Sequence, residues 1–155
     1  MITSLRLGLH FVTPEAETLY KDAGYQDTIS SGFDLVNIEE VVFTAENRFR
    51  LVNLGVVIDP PEGYHSLLLP RSSLYTKFQV LQTNGIGLVD ANFKGKNDIW
   101  RIPLLFSPAI ASLKQMTIPK GTRICQFFLQ PVFRFETYKY TPAEESRGGN
   151  GSTDK

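Results

Sequence analysis

Hydrophobic and polar residues alternate along most of the chain in short runs that end at proline, glycine or asparagine. The N-terminal run "SLRLGLHFV" shows this period of two, and so does "RICQFFLQPVFRFETYKY" at 123–140, where Phe133 and Phe135 alternate with charged residues. Such alternation is typical of strands with one buried face. Further strands are predicted over 34–43, 48–58, 65–70, 78–82 and 99–106.

Helical signals are few. Thr13, followed by Pro14 and Glu15, predicts a capped short helix that continues to Tyr20. The stretch Arg71–Lys77 predicts one or two further helical turns. Many short strands with little helix predict an all-β fold, either a β-barrel or a jelly-roll-like sandwich.

Two local signals mark chain reversals and ends. Asn84-Gly85 is a hairpin-turn dipeptide between apolar runs, so a β-hairpin is predicted there. Residues 141–155, "TPAEESRGGNGSTDK", lose hydrophobic periodicity and are expected to form a mobile tail. The prediction is a single β domain over 1–140 and a mobile C-terminal arm over 141–155.

Composition narrows the function. The 155 residues carry 16 basic and 16 acidic side chains, and the basic ones are scattered, which disfavours a nucleic-acid groove. Cys125 is the single cysteine, so an internal disulfide and a multi-cysteine zinc site are excluded. His10 and His65 are the only histidines, which disfavours a His-rich metal site or a Ser-His-Asp triad. No apolar run approaches membrane-spanning length and no signal peptide is indicated, so we expect a cytoplasmic protein.

Two stretches offer chemistry. Asp90 interrupts the apolar run after the Asn84-Gly85 turn, where it is either a solvated turn residue or a carboxylate that accepts a proton from a positioned water. Arg71, Ser72 and Ser73 in "LLLPRSSL" form either a plain helix cap with a surface arginine or an anion site.

Three more stretches are ambiguous when taken alone. "SSGFDL" (30–35) reads as a turn into a strand. In "PKGTRICQFFL" (119–129), Arg123 and Gln126 are the polar members of a strand. The tail combines Arg147 with glycines, Ser152 and Thr153, which either wrap a phosphate or are disordered.

Taken in order, the five stretches resemble the five motifs of the trimeric deoxyuridine triphosphatase (dUTPase) family. "SGFDL" resembles the first motif, "PRSSL" the second, "NGIGLVDANFKG" the third, "KGTRICQ" the fourth and "RGGNGST" the fifth. The resemblance spans nearly the whole chain in matching order and spacing. It implies a jelly-roll fold, a flexible C-terminal arm and hydrolysis of dUTP to dUMP and pyrophosphate.

The resemblance also implies roles in the third motif. Asp90 aligns with the aspartate that activates the water attacking the α-phosphorus. Asn84 aligns with the asparagine whose amide receives the pyrimidine, together with backbone groups of Gly87, Leu88 and Val89. Phe93 stands where the family usually has a tyrosine that packs on the deoxyribose and excludes a 2′-hydroxyl.

The other motifs imply contacts to the phosphates. Arg71, Ser72 and Ser73 align with phosphate-binding positions and Gln126 with a residue near the α-phosphate and the water. Supporting roles fall to Asp34 and Arg123, while the arm supplies Arg147, Asn150, Gly151, Ser152 and Thr153. Mg²⁺ would be held mainly by the triphosphate. A homotrimer with shared active sites is implied as well.

The sequence departs from the family pattern in several places. The fifth motif is two residues shorter than usual and has Asn150 where a phenylalanine would stack on uracil, which puts base stacking by the arm in question. Thr122 replaces a common aspartate and Ser73 a common glycine, and two residues are added near Asn97-Asp98. Divergence of this kind suits a phage-encoded member, acting in the host cytoplasm.

Alternatives on the same fold remain open. A dCTP deaminase shares the "RSS" signature but needs an arginine shortly after it and a glutamate on the strand "IWRIPLLF", and the sequence has neither. A diphosphatase for dCTP or a modified pyrimidine would use Asp90 equally well. A non-catalytic nucleotide-binding regulator is the third alternative.

Overall fold

The computed structural model describes residues 5–145. In this part of the chain eleven strands and two short helices follow one another. In order they are β1 Gly8–Phe11, α1 Pro14–Leu19, β2 Phe33–Val36, β3 Val41–Thr44, β4 Phe49–Asn53, β5 Val56–Asp59, β6 Tyr64–Pro70, α2 Ser73–Phe78, β7 Val80–Gln82, β8 Gly87–Val89, β9 Arg101–Phe106, β10 Gln115–Ile118 and β11 Arg123–Pro131. The all-β prediction is confirmed.

The strands form four small antiparallel sheets. One has four strands in the order β2-β11-β6-β8 and another has three in the order β4-β9-β7, while β1 pairs with β5 and β10 with β3. Most partners are distant in sequence, as when β11, the last strand among residues 5–145, inserts between β2 and β6. The sheets enclose a single aromatic and aliphatic core that includes Phe43, Phe106 and Phe127, each at most 2% exposed.

Helix α1 follows the sequence signal closely. Thr13 caps it by accepting a hydrogen bond from the Ala16 amide at 3.0 Å, and Pro14 occupies the first turn. The helix ends at Tyr20, whose hydroxyl donates to the Leu54 carbonyl oxygen at 2.7 Å and lies 3.3 Å from that of Val36. This buried contact anchors α1 against the end of β2.

The predicted strand over 48–58 is in fact two strands. Gly55 separates β4 from β5 with a φ of +65°, and a Cβ there would lie 2.4 Å from Ile38 Cγ2. The chain can therefore turn sharply only with glycine at this position. As a result β4 pairs with β9 and β5 pairs with β1.

Two other predictions were wrong. The flanks of the Asn84-Gly85 turn do not form a β-hairpin, because β7 pairs with β9 whereas β8 pairs with β6. Gly85 has the expected positive φ of +65°, so the dipeptide marks the turn but not the partners of its strands. The alternation at 132–140 does not continue β11, which ends at Pro131, and Phe133 and Phe135 are 83% and 85% exposed.

Most of the predicted arm lies outside the described residues. The division into a domain over 1–140 and an arm over 141–155 remains a prediction. The residues described contain no helix long and apolar enough to cross a membrane.

Candidate active site

Three predicted site residues meet at one end of the four-stranded sheet. Asp34 on β2 pairs directly with Gln126 on β11, and Gln126 pairs on its other side with Leu69 on β6. Directly opposed residues of antiparallel strands share a face, so the carboxylate and the carboxamide lie side by side. Arg71 follows the end of β6, and its amide donates to the Ile124 carbonyl oxygen at 3.1 Å. We call Asp34, Arg71 and Gln126 the polar cluster.

An ion pair holds the polar cluster together. Arg71 Nε lies 3.4 Å from Asp34 Oδ1, and the arginine side chain is 29% exposed while that of Asp34 is 3% exposed. Burial raises the pKa of the Asp34 carboxyl, whereas the charges of Arg71 and Arg123 act in the opposite direction. The buried Asp34 carboxylate therefore holds the Arg71 guanidinium in place, while the arginine side chain stays partly exposed and can contact an anion.

Asp34 has unused hydrogen-bonding capacity. Its Oδ2 atom is buried and has no hydrogen-bond partner among residues 5–145. An unsatisfied buried oxygen is costly unless a further group completes the site.

The two serines of the second motif lie at the start of α2. Ser72 is the N-cap residue but makes no side-chain capping hydrogen bond, and Ser73 begins the helix. The interpretation of this stretch as a plain helix cap is therefore wrong for Ser72, because its exposed hydroxyl makes no capping hydrogen bond. Both serines follow Arg71 in sequence, at the end of β6 where the polar cluster lies.

The Arg123 side chain is bound outside the polar cluster. It begins β11, is exposed, and donates to the Gln26 side-chain oxygen in the loop before β2. Its influence on Asp34 is electrostatic. The predicted supporting role is in keeping with this placement but is not tested by it.

The β7–β8 turn, residues 83–86, carries the predicted base-binding asparagine. Asn84 Oδ1 accepts a hydrogen bond of 2.8 Å from Gln82 Nε2, which also donates to the Leu68 carbonyl oxygen at 3.2 Å. Because the Asn84 side-chain oxygen accepts from Gln82, the Asn84 amide nitrogen remains available as a donor, and it lies close to Gly87.

Strand β8 is an edge strand. Within residues 5–145 it pairs with β6 alone, through Gly87↔Leu68, Leu88↔Leu67 and Val89↔Ser66. An edge strand presents unpaired backbone N–H and C=O groups on its outer side. The predicted backbone contacts of Gly87, Leu88 and Val89 therefore fall where such groups are available.

Asp90 directly follows β8 and is exposed. Its carbonyl oxygen accepts from the Phe93 amide at 3.0 Å, which closes a tight turn between the two residues. Phe93 is 41% exposed and lines a cavity of about 220 Å³ with Val89, Trp100 and other residues. A neighbouring cavity of about 280 Å³ between β3 and β4 contains none of the predicted site residues.

One chain does not bring Asp90 to the polar cluster. Val89 pairs with Ser66 near the start of β6, whereas Arg71 follows Pro70 at its end. Four residues of extended strand span roughly 13 Å, and Asp90 and Arg71 each lie one residue further out. The proposed base and the proposed phosphate-binding groups therefore stand at opposite ends of β6.

Two residues that shape this region escaped the sequence analysis. Gln82 fixes the Asn84 side chain, and Gly32 lies against the Gln126 side chain. Of these two residues, only Gly32 belongs to a stretch that the sequence singled out, "SSGFDL", and that stretch was interpreted as a turn into a strand. The arm residues Arg147, Asn150, Gly151, Ser152 and Thr153 lie outside the described residues.

Comparisons with known proteins agree with this picture. The family model for dUTPase matches residues 21–154. A SPbeta prophage-derived deoxyuridine 5'-triphosphate nucleotidohydrolase of Bacillus subtilis is 41% identical over 130 residues, covering 77% of this chain and 81% of that protein.

Solved structures resemble the fold. A mutant dUTPase of Staphylococcus bacteriophage 80alpha with dUpNHpp has a TM-score of 0.77 at 19% identity, covering 97% of this chain and 99% of the other. A mutant dUTPase from phage phi11 of S. aureus, described with a structural Mg(II) ion, has a TM-score of 0.73 at 17% identity and covers 91% of this chain and 100% of the other.

Proposed function

The chain belongs to the dUTPase family, and from that premise we propose that it hydrolyses dUTP to dUMP and pyrophosphate by attack of an Asp90-activated water on the α-phosphorus. The observation that carries the proposal is the polar cluster, in which adjacent strands place Gln126 beside Asp34 and Arg71 within 3.4 Å of that carboxylate. The comparisons favour dUTP over the dCTP-using and non-catalytic alternatives.

The chemical step needs one carboxylate and much positive charge. Asp90 accepts a proton as the water oxygen bonds to the α-phosphorus, and the bond to the β-phosphate oxygen breaks to release pyrophosphate. Phosphoryl substitution depends chiefly on positioning and charge neutralisation. Arg71 and the hydroxyls of Ser72 and Ser73 supply these at the phosphates, and Gln126 orients the α-phosphate and the water.

The nucleoside end is read by β8 and its turn. The Asn84 amide nitrogen and the outer backbone groups of Gly87, Leu88 and Val89 contact the pyrimidine. Phe93 then packs its exposed edge on the deoxyribose, where a 2′-hydroxyl would collide with the ring. Support comes from the edge position of β8 and from the Gln82 bond that orients Asn84.

Mg²⁺ fits this site as a partner of the triphosphate. Among residues 5–145, no group of three or more histidine, cysteine, aspartate or glutamate side chains is arranged to hold a metal ion, and the carboxylate of the polar cluster is already paired with Arg71. Phosphate oxygens are the hard ligands that Mg²⁺ prefers, and the ion would neutralise charge on them. No protein ligand is assigned.

We propose a homotrimer with shared sites, and the distance between Asp90 and the polar cluster supports the sharing. One chain separates them by more than 13 Å along β6, so a second copy that supplies Asp90 to the phosphate site of the first would complete the site. In this arrangement Arg147 reaches the γ-phosphate, and Asn150, Gly151, Ser152 and Thr153 close over the nucleotide from the arm. A location in the cytoplasm, of the host if the protein is phage-encoded, remains a prediction.

The activity is tested by pyrophosphate release with Mg²⁺ and, separately, dUTP, dCTP, dTTP and UTP. We expect release from dUTP that is lost in Asp90→Asn, a variant that keeps the shape of the side chain. Absence of release from every nucleotide would refute the enzymatic proposal. Release from dCTP or from several deoxynucleotides would retain the mechanism and contradict the specificity.

Site sharing is tested by complementation. Asp90→Ala and Arg71→Ala are each expected to be inactive, and the two are unfolded together and refolded as a mixture. If each site combines two copies, about a quarter of the sites in a random equal mixture carry both intact residues. Recovery of about a quarter of wild-type activity supports sharing, whereas a mixture as inactive as its components contradicts it.

A further inference from the structure

Gly32 lies directly beneath the Gln126 side chain. A Cβ built at Gly32 would lie 2.1 Å from Gln126 Oε1, 2.8 Å from its Cδ and 3.2 Å from its Cγ. Two of these separations are shorter than non-bonded contacts to a real Cβ, so a side chain at position 32 would force the whole end of Gln126 to move. The Gln126 carboxamide therefore occupies the space that any other residue at position 32 would fill.

The backbone explains this close approach. Gly32 immediately precedes β2, whose first residue, Phe33, pairs with Phe127 on β11. Position 32 is therefore adjacent to the face on which Asp34 and Gln126 lie side by side. Gln126 leans along the sheet over position 32.

Hydrogen bonds within the part of the chain that the structure describes do not set the position of this carboxamide. Among residues 5–145 no side-chain hydrogen bond is found for Gln126, although it is only partly exposed. Its backbone is fixed on both sides by pairing with β2 and β6. The remaining freedom is in its side-chain torsions, and these depend on the space over Gly32.

We propose that Gly32 is a positioning residue for hydrolysis, which holds the Gln126 carboxamide in its working place by leaving room for it. The inference rests on the proposed function, because Gln126 acts at the α-phosphate there. The requirement at position 32 is one of volume, since its φ lies outside the left-handed region that glycine alone favours. We therefore expect the backbone at position 32 to accept alanine, whereas the added methyl group would displace the Gln126 side chain.

The test is a double-mutant cycle on kcat for dUTP. Gly32→Ala is expected to lower kcat roughly 10- to 100-fold, with a smaller change in KM, because a displacement of about 1 Å at a reacting group has effects of this size. In the Gln126→Ala background the same substitution should lower kcat less than about twofold, since the displaced group is gone. Equal losses in both backgrounds, or wild-type kcat in Gly32→Ala, would overturn the proposal.

Gly8→Ala is the matched control. Its new Cβ would lie 3.0 Å from the Asp59 Cβ on the paired strand β5, in a different sheet from the one that carries Asp34 and Gln126. We expect near wild-type kcat for this variant. Should Gly32→Ala fail to fold, the double variant Gly32→Ala/Gln126→Ala should fold, because its only severe contact has been removed; failure of both to fold would contradict the proposal.

An NMR measurement that does not depend on catalytic turnover tests this proposal independently of the proposed function. The side-chain amide NMR signals of Gln126, assigned by their absence in Gln126→Ala, should shift in Gly32→Ala and stay unchanged in Gly8→Ala. Unshifted signals would refute the placement of Gln126 by Gly32. A wild-type protein that does not hydrolyse dUTP would refute the proposed function alone, and the signals would still decide the role of Gly32.

Discussion

The polar cluster and the β7–β8 turn are built in opposite ways. Asp34 is 2% exposed: β2 ends the sheet order, but Asp34 is bridged to Gly24 on its outer side and pairs on its inner side with β11, which is flanked by two strands. The segment from the turn to Asp90 runs along an edge strand, where Leu88 is 63% exposed and the Asp90 side chain faces solvent. The proposed phosphate-binding end is thus organised within one chain, whereas the proposed nucleoside-binding end presents open groups.

This difference between the two ends suits two separate tasks, phosphate binding and base binding. A buried ion pair with fixed neighbours can hold charge in place before the substrate arrives, which suits phosphate recognition. Exposed backbone groups on an edge strand can bind a base and, in an oligomer, reach a neighbouring copy. The first four of the five predictions below act on one end or the other.

The largest effect is expected at the exposed end, from Asp90→Asn. Loss of a general base lowers kcat by roughly 10²–10⁴, while nucleotide binding should remain because the phosphate-binding groups are intact. Steady-state kinetics and calorimetric titration with a non-hydrolysable dUTP analogue measure the two quantities. A variant that also fails to bind would assign Asp90 to binding instead of proton transfer.

The next effect is expected in the polar cluster, from Arg71→Lys. Lysine keeps the charge but lacks the planar fork that contacts Asp34 and a phosphate together, so kcat/KM for dUTP should fall roughly 10- to 100-fold. Lys77→Arg, on α2 and exposed, is the control and should leave kcat/KM unchanged. Equal activity of Arg71→Lys and wild type would mean that only charge matters there.

A smaller effect is expected from Gln82→Leu. This change removes the bond that orients Asn84, and a single neutral hydrogen bond is worth about 0.5–1.5 kcal/mol, so KM for dUTP should rise roughly 2- to 10-fold with kcat little changed. Comparison with Asn84→Ala sharpens the result. If Gln82→Leu still raises KM in the Asn84→Ala background, then Gln82 affects KM by some means other than orienting Asn84.

The smallest effect concerns pH and stability. Because burial raises the native pKa of Asp34 above its ordinary value of 3.8, the folded state binds this proton more tightly than the unfolded state. The contribution of Asp34 to stability is therefore greatest below pH 3.8 and falls as pH rises through the native pKa. Chemical denaturation should show less loss of stability with rising pH in Asp34→Asn than in wild type.

Asp27 provides the opposite case. Hydrogen bonds from Ser30 and the Ile29 amide lower its pKa, so its contribution is present above pH 3.8 and lost as pH falls. Asp27→Asn should flatten the acid side of the stability profile and leave the neutral side unchanged. Identical profiles for the Asp34 and Asp27 variants would contradict both assignments.

Some features were predictable because their causes are local. The cap at Thr13 and the first-turn Pro14 define α1 within a few residues, and Gly85 takes the positive φ that an Asn-Gly turn demands. Cys125, in an apolar run of the sequence, is buried at 0% exposure. The alternation within each strand identified β-structure but not its partners.

Partner choice is where the sequence analysis failed. The β7–β8 turn was expected to join two paired strands, yet its flanks lie in different sheets because Val80–Gln82 pairs with β9 and Gly87–Val89 with β6. The alternation at 132–140 was expected to continue β11, but no described strand pairs with it. A period of two records which face a side chain occupies and contains no information on the neighbouring strand.

The sequence by itself determined the β-rich fold class, the short helices and, through five ordered motifs, the family and the residues proposed for catalysis. Only the tertiary structure decided that Asp34, Arg71 and Gln126 meet, that Gly32 leaves room for Gln126, and that Asp90 lies at the far end of β6. Those facts depend on which distant strands pair and in which register, and pairing between residues far apart in sequence is fixed by packing of the whole core.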